Sequence, residues 1–371
     1  MVVLYLQNFV LNSIIIIIGG VNMYANNKRI LIILGIIIVV LAISFGITVF
    51  MDSRPKQEFE PPKEEIKTDD IIEEKPKKEL QIVDINSNSR PYAVMINNHP
   101  DARWVQSGLQ DAYLIYEMNV EYGLTRLMAL YKDKNTSRIG SIRSSRHTFL
   151  DYVMENDAIY VHFGWSYLAE AQLPKLGINN LNGLYDSFFW RDTSLNVAWE
   201  HTAFSSMEKI KQNVQSKGYK LTTDKELLLN YSAEKISLDK FNQNASNVKL
   251  SFSPYTVNDF KYDESNQVYK RIVNGQEILD YVTKKPLTVK NIIAIKVSNW
   301  TLSGTTLQDF ANIGTGDGFY ITEGKAIPIK WEKTSRSSQT IYKDLEGNEI
   351  IVNDGNTYIG IVPLGNTITF Y

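Results

Sequence analysis

The sequence predicts an α+β protein: a mixed α/β N-terminal domain plus a mostly-β C-terminal domain, behind a single N-terminal transmembrane helix. Three observations lead there. Residues 30–51 form an almost purely apolar run, ILIILGIIIVVLAISFGITVFM, and about 20 such residues span a bilayer core at ~1.5 Å rise each. Between residues 90 and 230, short apolar runs interleave with helix-start signals. From residue 231 to 371 strand-length runs follow one another, separated by Asn-Gly, Glu-Gly and Asp-Gly turns.

Residues 1–29 are the N-terminal segment. Its first 22 residues carry no charge, and its five-isoleucine run is interrupted on either side by Asn12 and Gly19-Gly20. They form either a second membrane arm or a stretch upstream of the true start at Met23, from which MYANNKR leads into the anchor. Lys28 and Arg29 immediately precede the apolar run, so the positive-inside bias places residues 52–371 outside the cytoplasm. A core helix shows an apolar stripe rather than an apolar circumference of this length. The end of the run, Ile47-Thr-Val-Phe-Met51, offers no small-x-small cleavage site, and the chain has no cysteine to lipidate. An uncleaved, single-pass anchor in the cytoplasmic membrane is expected.

Residues 52–89 mix charges and prolines with almost no aromatics, a composition that cannot bury enough surface to offset chain entropy. They are expected to form a disordered tether. In the N-terminal domain, residues 93–97 read as a buried strand, and 113–120 and 125–131 as a pair joined through Glu121-Tyr122-Gly123. Helices are expected at 147–156, at 166–175, at 206–216 behind the capping box Ser205-x-x-Glu208, and from Thr223-x-x-Glu226. In the C-terminal domain, strands are expected near 250–254, 259–262, 267–273, 292–297, 318–322, 326–330, 340–343, 349–352 and 358–362. The glycine-rich Gly314–Gly318 precedes a strand rather than opening a helix, so it reads as a flexible turn, not a nucleotide cradle.

Composition limits the chemistry. The formal net charge of −2 provides no field for nucleic acid. The absence of cysteine excludes disulfides, thiolate metal sites and thiol nucleophiles. No HExxH or paired-histidine spacing occurs, so neither metal nor cofactor is expected. GxSxG is also absent, although Ser144, Ser145 and Ser166 lie close in sequence to His147 and His162.

The strongest constellation is Arg143-Ser144-Ser145-Arg146, just ahead of the helix expected at His147. Two guanidinium forks, two hydroxyls and free helix N–H groups would suit a phosphate or carboxylate. His162 at a strand end, the Arg191-Asp192 pair and His201 are expected to join it. The alternative is that each arginine pairs with an internal acid, Glu117, Glu121 or Asp151. Glu117 and Glu121, four apart on an expected strand, would share a face and supply the two carboxylates of a hydrolase.

Several motifs together resemble the YerB-like lipoprotein family: RPYAVMINN at 90–98, Gln106-Ser-Gly108, Tyr116-Glu117 with Glu121, Thr125-Arg126, IGSIRSSR at 139–146, AIYVH at 158–162, Phe189-Trp-Arg-Asp192, Glu200-His201, and GNTYIGIVP at 355–363. The resemblance covers roughly residues 90–363. It implies an exported, surface-tethered bacterial protein with two domains of no assigned activity. This chain departs from it by lacking the lipidated cysteine and by carrying Ser141 where a proline is usual, which implies a less rigid turn. Two readings follow. The first is an extracytoplasmic binding or assembly module for an anionic wall polymer or envelope partner. The alternative is an envelope hydrolase of glycan or ester, using Glu117 or Glu121 with His162 or His201.

Overall fold

The computed structural model describes residues 79–238 and 243–371. The N-terminal segment, the anchor at 30–51 and the tether up to residue 78 lie outside the described residues. Among the described residues, no helix is long and apolar enough to cross a membrane.

Ten strands build the central sheet. We number them in chain order: β1 Tyr92–Asn97, β2 Leu114–Asn119, β3 Thr125–Tyr131, β4 Ile159–His162, β5 Asn180–Asn182, β6 Asn291–Val297, β7 Gly314–Thr322, β8 Lys325–Lys333, β9 Ile341–Lys343 and β10 Thr357–Pro363. Their spatial order is β9-β8-β7-β6-β10-β2-β3-β1-β4-β5. Five strands from each half of the chain therefore lie side by side. The seam is the parallel pairing of β2 with β10, from Leu114 opposite Thr357 to Met118 opposite Ile361. The sequence suggests two domains meeting at 230/231; the structure joins both halves through one sheet, and Asn230–Ser232 itself pairs with Ile351–Asn353.

Both faces of this sheet are covered, so its inner strands read as continuous apolar runs rather than alternating ones. Alternate residues feed opposite cores. Val94 and Ile96 of β1 pack into the layer shared with Val248, Leu250, Phe260 and Tyr269 of a second, antiparallel sheet. Ala93 and Met95 pack on the other face, with Phe149, Leu150 and Val153. The second sheet runs in the order Gln276–Glu277, Val268–Val273, Thr256–Asp263, Asn247–Ser253, Ile368–Phe370.

Among the described residues, three α-helices flank the sheets: α1 Leu150–Glu155, entered through a 3-10 turn at His147–Phe149, α2 Tyr167–Gln172, and α3 Met207–Ser216. The cap of α3 is Ser206, whose side chain accepts from Lys209 N; Ser205 instead donates to the Phe188 carbonyl at 2.6 Å. No helix forms at Thr223, where the side chain accepts from Lys225 N at 3.1 Å in a non-helical turn.

Two further expectations are corrected. Gly314–Gly318 is the first half of β7, not a flexible turn. A Cβ on Gly316 would lie 2.5 Å from Trp331 Nε1 and one on Gly318 2.7 Å from the Ala294 carbonyl, so glycine here permits close strand approach. The tether also stops short of residue 89. Gln81 N and Ile82 N donate to the Asp354 carboxylate at 2.9 and 3.0 Å, Val83 is buried, and Lys132 Nζ holds the Ser87 and Ser89 carbonyls at 2.8 and 2.7 Å.

Candidate functional site

β1 and β3 are adjacent antiparallel strands, with Asn97 opposite Arg126. Past the end of β1 the chain turns at His99; before β3 it turns through Glu121–Gly123. The arginine segment runs alongside. Arg143 N donates to the Met95 carbonyl and Asn97 N to the Ser141 carbonyl, both at 2.9 Å, while Ser145 N donates to the Gly164 carbonyl at 2.9 Å. Ser141 is buried and pinned by this pairing. These elements enclose a cleft of about 370 Å³ whose polar lining includes Asn97, His99, Glu121, Arg126, Arg143 and Arg146.

The charges in the cleft are unbalanced. Arg146 Nε is paired with Glu121 Oε1. Burial pushes the Glu121 carboxyl up, but the Arg146 hydrogen bond and the Arg146 and Arg126 charges outweigh it, and the net shift is downward. Arg126 is 7 % exposed, and its one hydrogen bond among the described residues goes to the Ser144 carbonyl, at 2.5 Å. Burial and the neighbouring Arg146 lower its affinity for a proton. Arg143 reaches only the Glu200 carbonyl, at 3.4 Å. Burial lowers its pKa, and the Glu200 charge opposes that. Among the described residues, neither Arg126 nor Arg143 has a carboxylate within ion-pair distance.

The cleft edge carries two stacked histidines, His99 and His201, with ring centroids 5.1 Å apart. Asn97 Nδ2 donates to His201 Nδ1 at 2.8 Å. Burial, followed by the Arg143 charge, lowers the His201 pKa. Arg191 sits over the Phe163 and Trp199 rings, 4.5 and 4.7 Å from their centroids, and donates to the Trp199 carbonyl at 2.6 Å.

The remaining expected site residues lie elsewhere or are committed. His162 is fully buried, with Nδ1 2.8 Å from the Gly164 carbonyl and Nε2 3.2 Å from Asn180 Oδ1; burial drives its pKa down to about 4. It does not line the cleft. Asp192 pairs with Arg138 at 2.8 Å. Ser145 is buried, and Ser144 offers its carbonyl to Arg126 rather than to a ligand. The helix N-terminus contributes nothing here: Phe149 N is bonded to the Arg146 carbonyl, and His147 faces Asp309 at 3.3 Å.

Glu117 is not a partner for Glu121 on one strand face. Glu121 begins the turn after β2, whereas Glu117 is fully buried within β2. Arg271 at 2.7 Å, Tyr358 OH at 2.9 Å, Thr125 Oγ1 at 2.6 Å and Asn98 Nδ2 at 3.1 Å all donate to its carboxylate. A carboxylate so occupied, with no path to solvent, lacks the access and free lone pair that acid–base catalysis needs. The geometry brings no acid–base couple together from Glu117, Glu121, His162 and His201. Arg126, Asn97 and His99 are the cleft residues that sequence reasoning missed. The available signal was an arginine inside an apolar strand, where a buried cation asks for a reason.

The solved structure of the YerB protein from Bacillus subtilis superimposes with a TM-score of 0.66 at 29% identity, covering 76% of this chain and 94% of that one. By sequence, "Putative lipoprotein YerB" of Bacillus subtilis (strain 168) is 30% identical over 279 residues, 74% of this chain and 81% of that protein. Residues 80–220 match the family described as protein of unknown function (DUF3048) N-terminal domain, and residues 248–359 match its C-terminal domain. With both domains of that architecture present in order, the chain belongs to the DUF3048 family of YerB-like proteins.

Proposed function

We propose that this protein is a membrane-anchored, extracytoplasmic binding or assembly module, and that the cleft holds an anionic group of a wall polymer or envelope partner. The observation that carries this reading is the charge imbalance: among the described residues, Arg126, Arg143 and Arg146 line the cleft with Glu121 as the one carboxylate. A buried guanidinium without an acid is costly unless something anionic satisfies it. The location is supported by the apolar run at 30–51 behind Lys28 and Arg29, and by the lipoprotein name of the Bacillus relative. A spanning helix in place of a lipid holds more firmly than one acyl chain.

Titration calorimetry with phosphate, sulfate and muropeptide-like carboxylates tests the cleft. One of these anions binds the wild type saturably. Charge-assisted hydrogen bonds contribute about 1.5–3 kcal/mol each, so Arg143→Ala weakens binding roughly ten- to a hundredfold. Arg143→Lys recovers only part, since it lacks the planar fork. No binding of any anion by the wild type contradicts the reading. For the location, protease added to wall-stripped cells releases a soluble fragment containing both family domains; a protected fragment reverses the orientation.

A further inference from the structure

The segment 163–166, hydrogen-bonded to the arginine loop, contributes Trp165 to a second concavity, of about 460 Å³, whose walls include Glu170, Asn180, Asn182, Tyr185 and Lys217. Its size falls within the roughly 300–1,000 Å³ range of small-ligand pockets. We propose that this pocket binds a neutral saccharide, independently of the anion cleft.

Three features carry the proposal. The first is an aromatic wall. Trp165 and Tyr185 have ring centroids 5.8 Å apart at 42°, and Tyr185 is 74% exposed. Trp165 is braced from behind by His162, 5.8 Å away, which in turn lies 4.9 Å from Tyr160. The platform is thus anchored in the core at one end and open to solvent at the other. A pyranose presents a C–H face of matching size, and aromatic rings supply large, rigid apolar area beside polar tips.

The second feature is the amide lining at the end of β5. Asn182 is 3% exposed, and its Oδ1 accepts from Gly164 N at 2.9 Å and Leu184 N at 3.1 Å. Among the described residues its Nδ2 has no partner, although buried amide donors are nearly always satisfied. A sugar hydroxyl both donates and accepts, which suits amide and carboxylate side chains grouped beside an aromatic face. The third feature is charge. Lys217 is already paired with Asp186 at 2.8 Å, which leaves the Glu170 carboxylate in surplus. That balance, opposite to the arginine cleft, disfavours phosphate or carboxylate; the aromatic wall and the amides favour a polyhydroxylated neutral ligand.

The test is titration calorimetry of the full chain in detergent with chitotetraose and maltotetraose. At least one binds saturably at millimolar concentration, and Tyr185→Ala, which removes an exposed side chain without opening the core, weakens it about tenfold or more. Trp165→Ala has the same effect. Trp300→Ala, an exposed ring on another hairpin, leaves binding unchanged, as does Arg143→Ala, so failure here is separable from failure of the anion cleft. Absence of saturable binding of either saccharide, or undiminished binding by Tyr185→Ala, overturns the proposal.

Discussion

Between the two halves, the buried carboxylates Glu117 and Glu155 each hold a cation; in the cleft above β1 and β3, Arg126 and Arg143 hold no carboxylate among the described residues. Glu117 receives Arg271, Tyr358, Thr125 and Asn98. Glu155, at the end of α1, receives Lys333 at 2.8 Å, Tyr116 OH at 2.6 Å and Thr340 Oγ1 at 2.7 Å. Arg271 and Lys333 come from the C-terminal half, so each carboxylate ties one half to the other. Arg126 and Arg143, by contrast, reach only carbonyl oxygens. The lesson is that a buried carboxylate with partners from distant strands serves assembly of the fold, while cations that line an open cleft without an acid are available to a ligand.

Breaking the paired side should produce the largest effect. Glu117→Ala leaves Arg271 buried at 1% exposure without its carboxylate, and removing one partner of such a pair costs about 3–5 kcal/mol. Urea unfolding measures it; a loss below about 1 kcal/mol would mean that the seam is not held by this pair.

The next effect is pH dependence. His162 is held neutral, its folded pKa near 4 against an ordinary value of 6.5. Between these values the unfolded chain binds the proton and the folded chain does not, so stability rises with pH across that window. It is complete above 6.5 and falls as pH drops towards 4, by at most about 3 kcal/mol for this residue. His147 and His201 are displaced in the same direction by burial. Unfolding free energies at pH 7 and pH 4.5 should therefore differ markedly in the wild type and less in His162→Gln. An equal difference in both would remove His162 from the account.

The smallest effect on stability is expected in the cleft. Glu121→Gln removes the acid that pairs with Arg146 in a part-buried setting, at about 1 kcal/mol or less. The same change frees a guanidinium, so anion affinity should rise severalfold by calorimetry. A fall in affinity would assign Glu121 to ligand binding rather than to competition with it.

Much of this fold was legible from local pattern. β1, the β2–β3 pair and most C-terminal strands follow from apolar runs bounded by turns, and Asn274-Gly275 and Glu323-Gly324 adopt the positive φ values that such turns demand. The shared sheet was not legible, because β2 and β10 carry no mark of each other and their pairing joins residues more than 200 positions apart. Glu117 inside LIYEMN signalled a buried charge, yet Arg271 stands 154 residues away. His162 ended an apolar strand as expected, but which side of the strand its ring occupies depends on the β4–β5 pairing that places Asn180 beside it. The arginine loop was visible as a motif; that Arg126 and His99 join it follows only from the antiparallel register of β1 and β3.

The most direct test of the contrast is the melting temperature of wild type and Arg143→Ala, each with and without phosphate, sulfate and a muropeptide-like carboxylate. The account predicts that one anion raises the wild-type melting temperature, while Arg143→Ala melts near the wild type without anion and does not respond to it. If Arg143→Ala instead loses stability as Glu117→Ala does, and no anion shifts the wild type, Arg143 is a structural residue and the cleft is not a binding site.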